Sequence, residues 1–551
     1  MSQTQERVAV VGAGPVGSTL AVILAQKGYH VDLFEKRDDP TDGRFKEQGR
    51  SFNLSVSMRA LNGWKRANVH EEIIKSMVPM YKRCVHMPDD TTHYYPYGKE
   101  SDCVLSIRRR YIQDILTRKL KGMENVNLHF NTNVQNVNLK ETTFDAIHPD
   151  GSIENKKYAQ VFGTDGSFSA VQKAYLQTMD FNYSIDFGEY GYLELEIPSD
   201  EKGNYRHNPN AFHFWPRKQI MLAGLPNIEN NFTIGLFMKL RGENSFEEFK
   251  DSDQFEKYMH SVFKNTKELM PTMKRDFENN PVARIVIIKC FPWVKNNFLL
   301  LGDSAHAMTP FYGQGLNSGL EDCVVLEGLI DQYNGHWPTI TKKFQEQRKP
   351  NADAISQLSS QLFNIMREAD VAEGYLLARS LTTYLTETYP GMFRTQQELV
   401  YLSDVDFTKC LSYGKVEAQI LKEVLSSVPE VKILMKTGQR DPRIEMILKK
   451  YYGLYDLPDN LSQSNELEAI LRQRVLEEKE MLAKQAQSTS NFINASQAQY
   501  KAPVKQQIYN FSTQVPRPTT IINNTPKRNF CSQSTSTFGM RNIMKYFRYL
   551  K

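Results

Sequence analysis

The first residues that could do chemistry form a glycine motif near the start of the sequence. It reads Gly12-Ala13-Gly14-Pro15-Val16-Gly17, and Glu35 follows at the end of the next apolar stretch. Gly12 permits a tight turn, Gly14 lets the backbone approach a pyrophosphate, and Gly17 allows a helix to pack closely on a strand. Glu35 can accept hydrogen bonds from both hydroxyls of a ribose. The pattern predicts a dinucleotide site and fits FAD and NAD equally well.

Two later segments carry further binding chemistry. Gly163-Thr164-Asp165-Gly166 follows a strand-like stretch, and Gly302-Asp303-Ser304-Ala305-His306 follows another. The second of these continues into Pro310-Phe311-Tyr312-Gly313-Gln314-Gly315-Leu316-Asn317. A carboxylate at the end of a strand is a good acceptor for a polyol, and a glycine-bounded loop leaves its amides free to face a planar ring. One such segment alone indicates only a β-turn, whereas three in this order indicate a cofactor site.

The three segments together resemble the fingerprints of the group A flavin monooxygenases, the para-hydroxybenzoate hydroxylase-like family. The resemblance implies bound FAD and NADPH as a transient reductant without a separate nicotinamide domain. It also implies that Asp303 takes a ribityl hydroxyl and that Arg109 makes a bridging contact. The implied cofactor-binding residues are Gly12, Gly14, Val16, Gly17, Glu35, Lys36, Leu54, Arg109, Asp165, Asp303, Gly315, Leu316 and Asn317.

A narrower resemblance rests on Gly49–Leu54, Pro96–Gly98, His213–Arg217, Leu225–Asn227, Pro310–Gly315 and Glu321–Cys323. These segments are similar to the kynurenine 3-monooxygenase family, and the similarity runs from about Arg7 to Met366. It implies a flavin C4a-hydroperoxide that hydroxylates L-kynurenine, an aromatic amino acid, with O₂ as co-substrate. Arg83 and Tyr97 would then hold the substrate carboxylate, and Leu225 and Phe237 would help to line the ring slot. The implied catalytic and substrate-contacting residues are Arg83, Tyr97, Phe311, Tyr312, Gln314 and Met366.

The sequence also departs from this family. Leu362 stands where the family has an asparagine, Ile365 where it has a glutamate, and Gln397 where it has a pocket tyrosine. Gln172 replaces the arginine that usually ends the second segment, and Lys173 is expected to compensate. Because these positions have lost polar groups that contact the substrate in the family, an alternative stays open. The protein would then be a catalytically weak or inactive flavoprotein that serves as a structural or assembly subunit of a larger complex.

The elements that must position these residues follow from hydrophobic periodicity. Val8–Val11, Ser18–Lys27 and Val31–Phe34 predict a βαβ unit around the glycine motif. Four alternating stretches between Ser184 and Met238 predict an antiparallel or mixed sheet that forms one wall of the substrate pocket. The chain then reads as helical from about residue 302 to Tyr455.

These elements predict an α/β fold in which a Rossmann-type FAD-binding domain is interleaved with a mixed β-sheet substrate domain. A chain of 551 residues with 40% hydrophobic content is long enough for two or three domains. The predicted division is 1–180 and 286–350 for the FAD-binding domain, 181–285 for the substrate domain, 351–487 for a helical region and 488–551 for a tail. The six cysteines contain no C-x-x-C pair, which argues against disulfides and against a metal site.

The C-terminal tail differs in charge from the rest of the chain. Residues 481–551 contain ten Lys and Arg and no Asp or Glu, whereas the rest holds 58 basic and 63 acidic residues. Apolar residues from Phe538 to Leu550 approximate one face of a basic helix, which could bind a membrane surface or an acidic protein. By resemblance the protein is expected at the mitochondrial outer membrane or in a complex there, otherwise in the cytoplasm, and not secreted. No nucleic-acid recognition fold is recognised.

Overall fold

The structure is a computed structural model that describes residues 6–42, 53–264, 266–367 and 369–453, without the side chains of 366–373. The part of the predicted helical region after Gly453, the predicted basic terminal helix and residues 49–52 lie outside the described residues. No helix in the described ranges combines the length and apolar character needed to cross a membrane.

The strands are β1 Arg7–Val11, β2 His30–Phe34, β3 Asn53–Val56, β4 Val78–Met80, β5 Lys82–His86, β6 Thr92–Pro96, β7 Val104–Arg108, β8 Val126–His129, β9 Asn133–Asn138, β10 Thr143–Ile147, β11 Ile153–Lys157, β12 Gln160–Gly163, β13 Asn182–Asp186, β14 Tyr190–Ile197, β15 Ala211–Arg217, β16 Ile220–Pro226, β17 Phe232–Lys239, β18 Ala283–Arg284, β19 Ile287–Phe291, β20 Val294–Lys295 and β21 Phe298–Leu300. The helices are α1 Pro15–Gln26, α2 Met58–Arg66, α3 His70–Ile74, α4 Arg109–Lys121, α5 Ala170–Tyr175, α6 Ser252–Val262, α7 Thr266–Leu269, α8 Met273–Asn279, α9 Asp303–His306, α10 Gly315–Gln332, α11 Trp337–Arg367, α12 Ala369–Thr388, α13 Gln396–Leu402, α14 Phe407–Ser427, α15 Val431–Thr437 and α16 Pro442–Tyr451.

A mostly parallel sheet carries the glycine motif. Its order is β20-β21-β12-β1-β2-β8, and β1 pairs in parallel with both β2 and β12. The buried part of β1, Val8–Val11, is entirely apolar because a central parallel strand is covered on both faces. The helix α1 joins β1 to β2, which confirms the predicted βαβ unit.

A second sheet has seven strands in the order β18-β14-β17-β16-β15-β5-β6. The four strands predicted between residues 184 and 238 are present as β14, β15, β16 and β17. Two further strands, β5 and β6, come from residues 82–96, and β5 pairs in parallel with β15. The seven-stranded sheet is therefore built from two separated parts of the chain. The first part, residues 82–96, was predicted to belong to the FAD-binding domain, residues 1–180.

The chain after β21 is helical, as predicted, and covers the open side of the seven-stranded sheet. One core cluster joins α11, α13 and α14 to residues of the sheet region such as Tyr97 and Leu225. The helix α13 begins with a capping box in which Thr395 and Glu398 satisfy each other's backbone amides. This cap fixes where α13 starts and therefore which of its side chains face the sheet. The predicted fold class is confirmed.

Candidate active site

The glycine motif is folded so tightly that two of its positions exclude any side chain. A Cβ on Gly12, whose φ is +101°, would lie 2.7 Å from the Cα of Asp165. A Cβ on Gly17 would lie 2.0 Å from the carbonyl oxygen of Gly12. At Gly14 the nearest atom to such a Cβ is Nη2 of Arg109, 3.7 Å away. The turn is therefore closed on the protein side and open beside Gly14, where a pyrophosphate would approach.

Glu35 lies where the sequence predicts it but already has partners. It is 6% exposed and accepts hydrogen bonds from the amide of Ala13 at 2.9 Å and from Nε of Arg37 at 2.8 Å. Burial raises the pKa of Glu35, but Arg37 and two backbone amides lower it by more than burial raises it. The pKa of Glu35 is therefore below its usual value. The predicted neighbour Lys36 is exposed. Arg37, which the sequence analysis missed, is the residue that holds the carboxylate.

Arg109 has an unsatisfied donor beside the open turn. It begins α4, and its Nε is buried with no hydrogen-bond partner among the residues that the structure describes. Burial lowers its pKa, and the nearby charge of Arg37 lowers it further. A guanidinium with an unpaired N–H next to Gly14 fits an anionic pyrophosphate, as the resemblance implies for Arg109.

The third segment places a carboxylate opposite the glycine motif. Asp303 is the first residue of α9 and is exposed, and none of the hydrogen bonds within the described ranges engages its carboxylate. A Cβ on Gly315 would lie 3.9 Å from Oδ1 of Asp303. Val16 of the first motif packs against Gly302, so the two segments meet directly. An unengaged carboxylate beside a side-chain-free position fits a polyol such as the ribityl chain of FAD.

The N-terminus of α10 lies beside Asp303 and has no side-chain cap. Gln314 precedes the helix, and no side-chain hydrogen bond caps it. Gly315 and Leu316 line a cavity that extends to the seven-stranded sheet. The first amides of a helix lack intrahelical partners and carry partial positive charge, so this end favours an electron-rich group.

Two predicted cofactor residues use their side chains within the protein. Asn317 is fully buried, accepts from the amide of Ser57 at 2.8 Å and donates to the carbonyls of Ser55 and Gly313 at 2.8 and 2.7 Å. Asp165 accepts from the amide of Ala170 at 2.6 Å. Asn317 therefore fixes β3 against the Gly313 turn, and the backbone of the Asp165 segment supports the glycine motif.

Gln172 performs a structural task without the arginine that is usual there. Its Nε2 donates to the carbonyl oxygen of Ser304 at 2.6 Å, which joins the second segment to the third. Lys173 is exposed and takes no part in this contact. The compensation by Lys173 stays a prediction, and Gln172 itself is long enough to reach Ser304.

A buried ionic cluster behind the third segment was not predicted from the sequence. Asp322 has no exposed surface and accepts from Nε2 of His306 at 2.7 Å, Nε of Arg348 at 2.7 Å and the amide of Gly302 at 3.1 Å. Arg348 also pairs with Glu321 at 2.6 Å. Burial raises the pKa of Asp322, but its interactions with His306 and Arg348 lower it by more than burial raises it. The pKa of Asp322 is therefore below its usual value. The cluster fixes the turn that carries Asp303.

A cavity of about 260 Å³ lies between the seven-stranded sheet and the helices and reaches Asp303, Gly315 and Leu316. Leu54 lies at the same end. The walls are largely apolar, as expected for a site that binds an aromatic ring. They include Val85, Phe212, Phe214, Leu225, Phe237 and Phe311.

A cationic group with two phenols lies on the cavity wall. Nη2 of Arg83 donates to the hydroxyl of Tyr401 at 2.6 Å, and its Nε donates to that of Tyr97 at 3.5 Å. Burial raises the pKa of both phenols, so each is neutral near pH 7. The pair of Arg83 and Tyr97 predicted from the sequence is therefore brought together. Tyr401 was missed, because the sequence analysis aligned the family's pocket tyrosine with Gln397.

The remaining predicted substrate residues are placed in three different ways. Phe311 and Tyr312 line the cavity, and the ring of Phe311 stacks on Phe363 with centroids 4.3 Å apart. Gln314 is buried, and its Nε2 donates to the carbonyl oxygen of Tyr312 at 3.4 Å. Met366 lies in α11, but its side chain is outside the described part of the chain.

A second, smaller cavity of about 40 Å³ adjoins the first and shares Tyr375 and Arg379 with it. The three pocket positions where the sequence departs from the kynurenine 3-monooxygenase family line this cavity and not the larger one. They are Leu362, Ile365 and Gln397. Glu417 also lines it and accepts from the amide of Gln396 at 2.6 Å, and burial raises its pKa to about 7.

The open glycine turn, Arg109 and Asp303, of which Asp303 also lines the apolar cavity, are the features of an FAD-binding protein. The family described as "FAD binding domain" matches residues 5–359. The kynurenine 3-monooxygenase of Christiangramia forsetii is 33% identical over 453 residues, which are 81% of this chain and all of that protein. The kynurenine 3-monooxygenase of Flavobacterium johnsoniae is 35% identical over 456 residues, with the same coverage.

Solved structures agree on the fold. The tetrameric form of 2-methyl-3-hydroxypyridine-5-carboxylic acid oxygenase has a TM-score of 0.56 at 15% identity and covers 67% of this chain and 94% of its own. A probable FAD-dependent monooxygenase from Pseudomonas aeruginosa has a TM-score of 0.55 at 16% identity, with coverages of 66% and 97%. The chain belongs to the kynurenine 3-monooxygenase family. It is an FAD-dependent monooxygenase that takes O₂ and a small-molecule substrate.

Proposed function

We propose that this monooxygenase hydroxylates L-kynurenine to 3-hydroxykynurenine with NADPH as reductant. The observation that carries the proposal is the meeting of Arg83 with Tyr97 and Tyr401 on the wall of an otherwise apolar cavity. Kynurenine combines an α-carboxylate with an aromatic ring, and this cavity offers one cationic anchor and a slot for a ring. The names of the relatives support the same substrate.

Arg83 would bind the substrate carboxylate. Its guanidinium offers a planar, charge-assisted contact, and the two phenols can turn their hydroxyls to add neutral donors. The contact of Arg83 with Tyr97 is long, at 3.5 Å, so a carboxylate oxygen can compete for that N–H group. Such a buried anchor contributes about 2–4 kcal/mol to binding.

The apolar walls would orient the ring and exclude water. Leu225, Phe237 and Phe311 line the cavity between the Arg83 anchor and the Asp303 end. FAD, when bound along Gly14, Arg109 and the Asp303 end, supplies the activation of O₂ and the transfer of oxygen to the ring. Exclusion of water from the slot protects that chemistry from side reactions. The uncapped start of α10 would stabilise negative charge on the reduced cofactor.

The test is NADPH oxidation by the FAD-loaded protein with and without L-kynurenine, with 3-hydroxykynurenine quantified in the same samples. We expect kynurenine to accelerate NADPH oxidation and the product to form. Arg83→Ala should raise KM by about 30-fold or more. Lys82→Ala is the matched control, because Lys82 is on the same strand and exposed. A bound flavin whose reduction kynurenine never accelerates would contradict the proposal.

One observation favours a second candidate, a flavoprotein with a structural or assembly role. Leu362 and Ile365 are apolar and buried where the resemblance implies polar substrate contacts, and they lie against the small cavity. A protein of this kind would bind FAD and show no kynurenine-dependent turnover. The same assay therefore separates the two candidates.

We also propose that residues 488–551 attach the protein to the mitochondrial outer membrane. The acid-free basic composition of residues 481–551 supports attraction to an anionic surface. Deletion of 488–551 should move the protein from the mitochondrial membrane fraction to the supernatant and leave its flavin content unchanged. Unaltered fractionation of the shortened chain would contradict this role.

A further inference from the structure

The back of the substrate sheet holds three metal-binding side chains. β5 and β15 pair in parallel, with Arg83 opposite Phe212 and Cys84 opposite His213. Arg83 and Phe212 line the cavity. Because side chains alternate between the faces of a strand, Cys84, His86 and His213 lie on the other face. The parallel pairing thus brings together residues that are far apart in the sequence.

The three donor atoms already lie close to ligand spacing. Cys84, His86 and His213 are buried, and one ligand atom of each lies within 4.8 Å of the other two. Sγ of Cys84 is 3.5 Å from Nε2 of His86, which is 2.8 Å from Nδ1 of His213. Tetrahedral zinc bonds imply about 3.5 Å between sulfur and nitrogen and about 3.3 Å between two nitrogens. The two imidazoles must move apart by about half an ångström, and the sulfur already lies at ligand spacing from Nε2 of His86.

The surroundings orient the histidine rings as ligands. Nε2 of His213 lies 2.8 Å from the carbonyl oxygen of Asn208. A carbonyl only accepts, so Nε2 carries the hydrogen and Nδ1 presents its lone pair to the cluster. Metal-bound histidines usually donate their other N–H group in this way. The ring of His86 stacks on Trp215 with centroids 4.1 Å apart and planes 7° apart, which fixes its direction.

A fourth histidine, His207, lies beside the cluster in the chain just before β15. It is not among the three residues whose ligand atoms lie within 4.8 Å of one another, so its side chain must turn to reach a shared ion. The ring of His207 lies 5.2 Å from that of His86 and 4.9 Å from that of His213, measured between centroids. Its Nε2 is buried without a hydrogen-bond partner in the described part of the chain. A buried polar atom without a partner is costly, and coordination would satisfy it.

We propose that Cys84, His86, His207 and His213 form a zinc site. One thiolate and three imidazoles suit a tetrahedral Zn²⁺ ion, and a site with four protein ligands has no open position, so its role is structural. On binding, the thiol of Cys84 releases its proton to solvent, the hydrogen on Nε2 of His86 moves through solvent to Nδ1 of the same ring, and the bonds to zinc replace the hydrogen bond between His86 and His213. No electron is transferred. The ion would join β5 to β15 directly behind Arg83 and thereby hold the strand that carries the anchor.

The first test is zinc binding by the FAD-loaded, full-length protein after chelation. The protein is titrated with Zn²⁺, and retained metal is measured by elemental mass spectrometry. We expect one zinc per chain and an affinity at least tenfold lower in Cys84→Ser and in His213→Gln. Cys410→Ser and His336→Gln are the matched controls, because these residues lie outside the cluster, and both should bind zinc normally. Failure to retain zinc, or equal retention by Cys84→Ser, would overturn the proposal.

A second measurement uses the unmutated protein, so its result is independent of whether the variants fold. Co²⁺ takes the place of Zn²⁺, and the spectrum of the zinc-loaded protein is subtracted to remove the flavin absorption. We expect a charge-transfer band from cysteine thiolate to cobalt and visible bands of a tetrahedral ion. Excess Zn²⁺ should abolish both. Bound cobalt without a thiolate band would overturn the assignment of Cys84, and with it the site.

Discussion

Replacement of Asp322 by asparagine should destabilise the protein far more than the same change elsewhere on α10. The carboxylate of Asp322 is fully buried and receives hydrogen bonds of 2.7 Å from both His306 and Arg348. Asp322→Asn keeps the shape and removes the charge. Loss of one partner from a buried ionic cluster costs about 3–5 kcal/mol. Because Arg348 retains Glu321 at 2.6 Å, we expect the lower end, about 3 kcal/mol.

Asp331→Asn is the matched control for Asp322→Asn. Asp331 is on the same helix, its side chain is 58% exposed, and it pairs with Lys27 at 2.7 Å. An exposed ion pair of this kind contributes less than about 1 kcal/mol. The assay is urea unfolding followed by circular dichroism, with FAD affinity measured in parallel. Asp322→Asn should also weaken FAD binding, because Asp322 holds the amide of Gly302. Equal unfolding free energies for the two variants would refute the assigned role of the cluster.

Three further predictions concern the cofactor turn, the anchor and the small cavity. Gly12→Ala should reduce FAD affinity at least tenfold in a flavin titration, because a Cβ at this position would meet backbone atoms at 2.7 Å. Gly151→Ala is the control and should retain FAD, because Gly151 also has a positive φ, +82°, but lies in an open turn. Tyr401→Phe removes an acceptor of Arg83 and should raise KM for kynurenine about tenfold with little change in kcat, and an unchanged KM would exclude Tyr401 from the anchor. Glu417→Gln should stabilise the protein at pH 8 by up to about 3 kcal/mol relative to its effect at pH 4.5. In the folded protein the Glu417 carboxyl keeps its proton up to a pKa of about 7, whereas in the unfolded chain it loses the proton near pH 4.5. The stability of the wild-type protein therefore falls as the pH rises between these two values. If the difference in unfolding free energy between Glu417→Gln and wild type did not change with pH, this reasoning would be contradicted.

Local sequence patterns were sufficient to predict the cofactor end of the site. The spacing of Gly12, Gly14 and Gly17 is a backbone requirement, and continuous apolar strands on either side mark a buried parallel sheet. Asp303 follows a strand that pairs with the same sheet, so its place near the glycine turn was also predictable. Arg37 was missed because a residue two positions after Glu35 gives no periodic signal.

The anchor could be predicted only in part, because its members come from distant elements. Tyr401 is on α13, and its contact with Arg83 joins residues more than 300 positions apart. Gln397, which the sequence analysis aligned with the family's tyrosine, is one helical turn before Tyr401. Positions four residues apart share a helix face, so an alignment shifted by one turn preserves the apolar pattern and misplaces the functional side chain.

The proposed zinc ligands show a similar limit. The sequence shows no metal motif because its cysteines are far apart from one another. Cys84 and His86 are two residues apart on one strand, but His213 becomes their neighbour only through the parallel pairing of β5 with β15. Long-range register of this kind is set by the packing of the whole sheet and leaves no signal in local spacing.

The most direct test of hydroxylation is incorporation of oxygen from labelled O₂. The FAD-loaded protein is incubated with NADPH, L-kynurenine and ¹⁸O₂, and the product is measured by mass spectrometry. We predict 3-hydroxykynurenine that carries one ¹⁸O atom per molecule, formed by the unmutated protein and by Lys82→Ala and strongly reduced in Arg83→Ala at low substrate concentration. A product without the label, or flavin-loaded protein that oxidises NADPH without forming a hydroxylated product, would contradict the account.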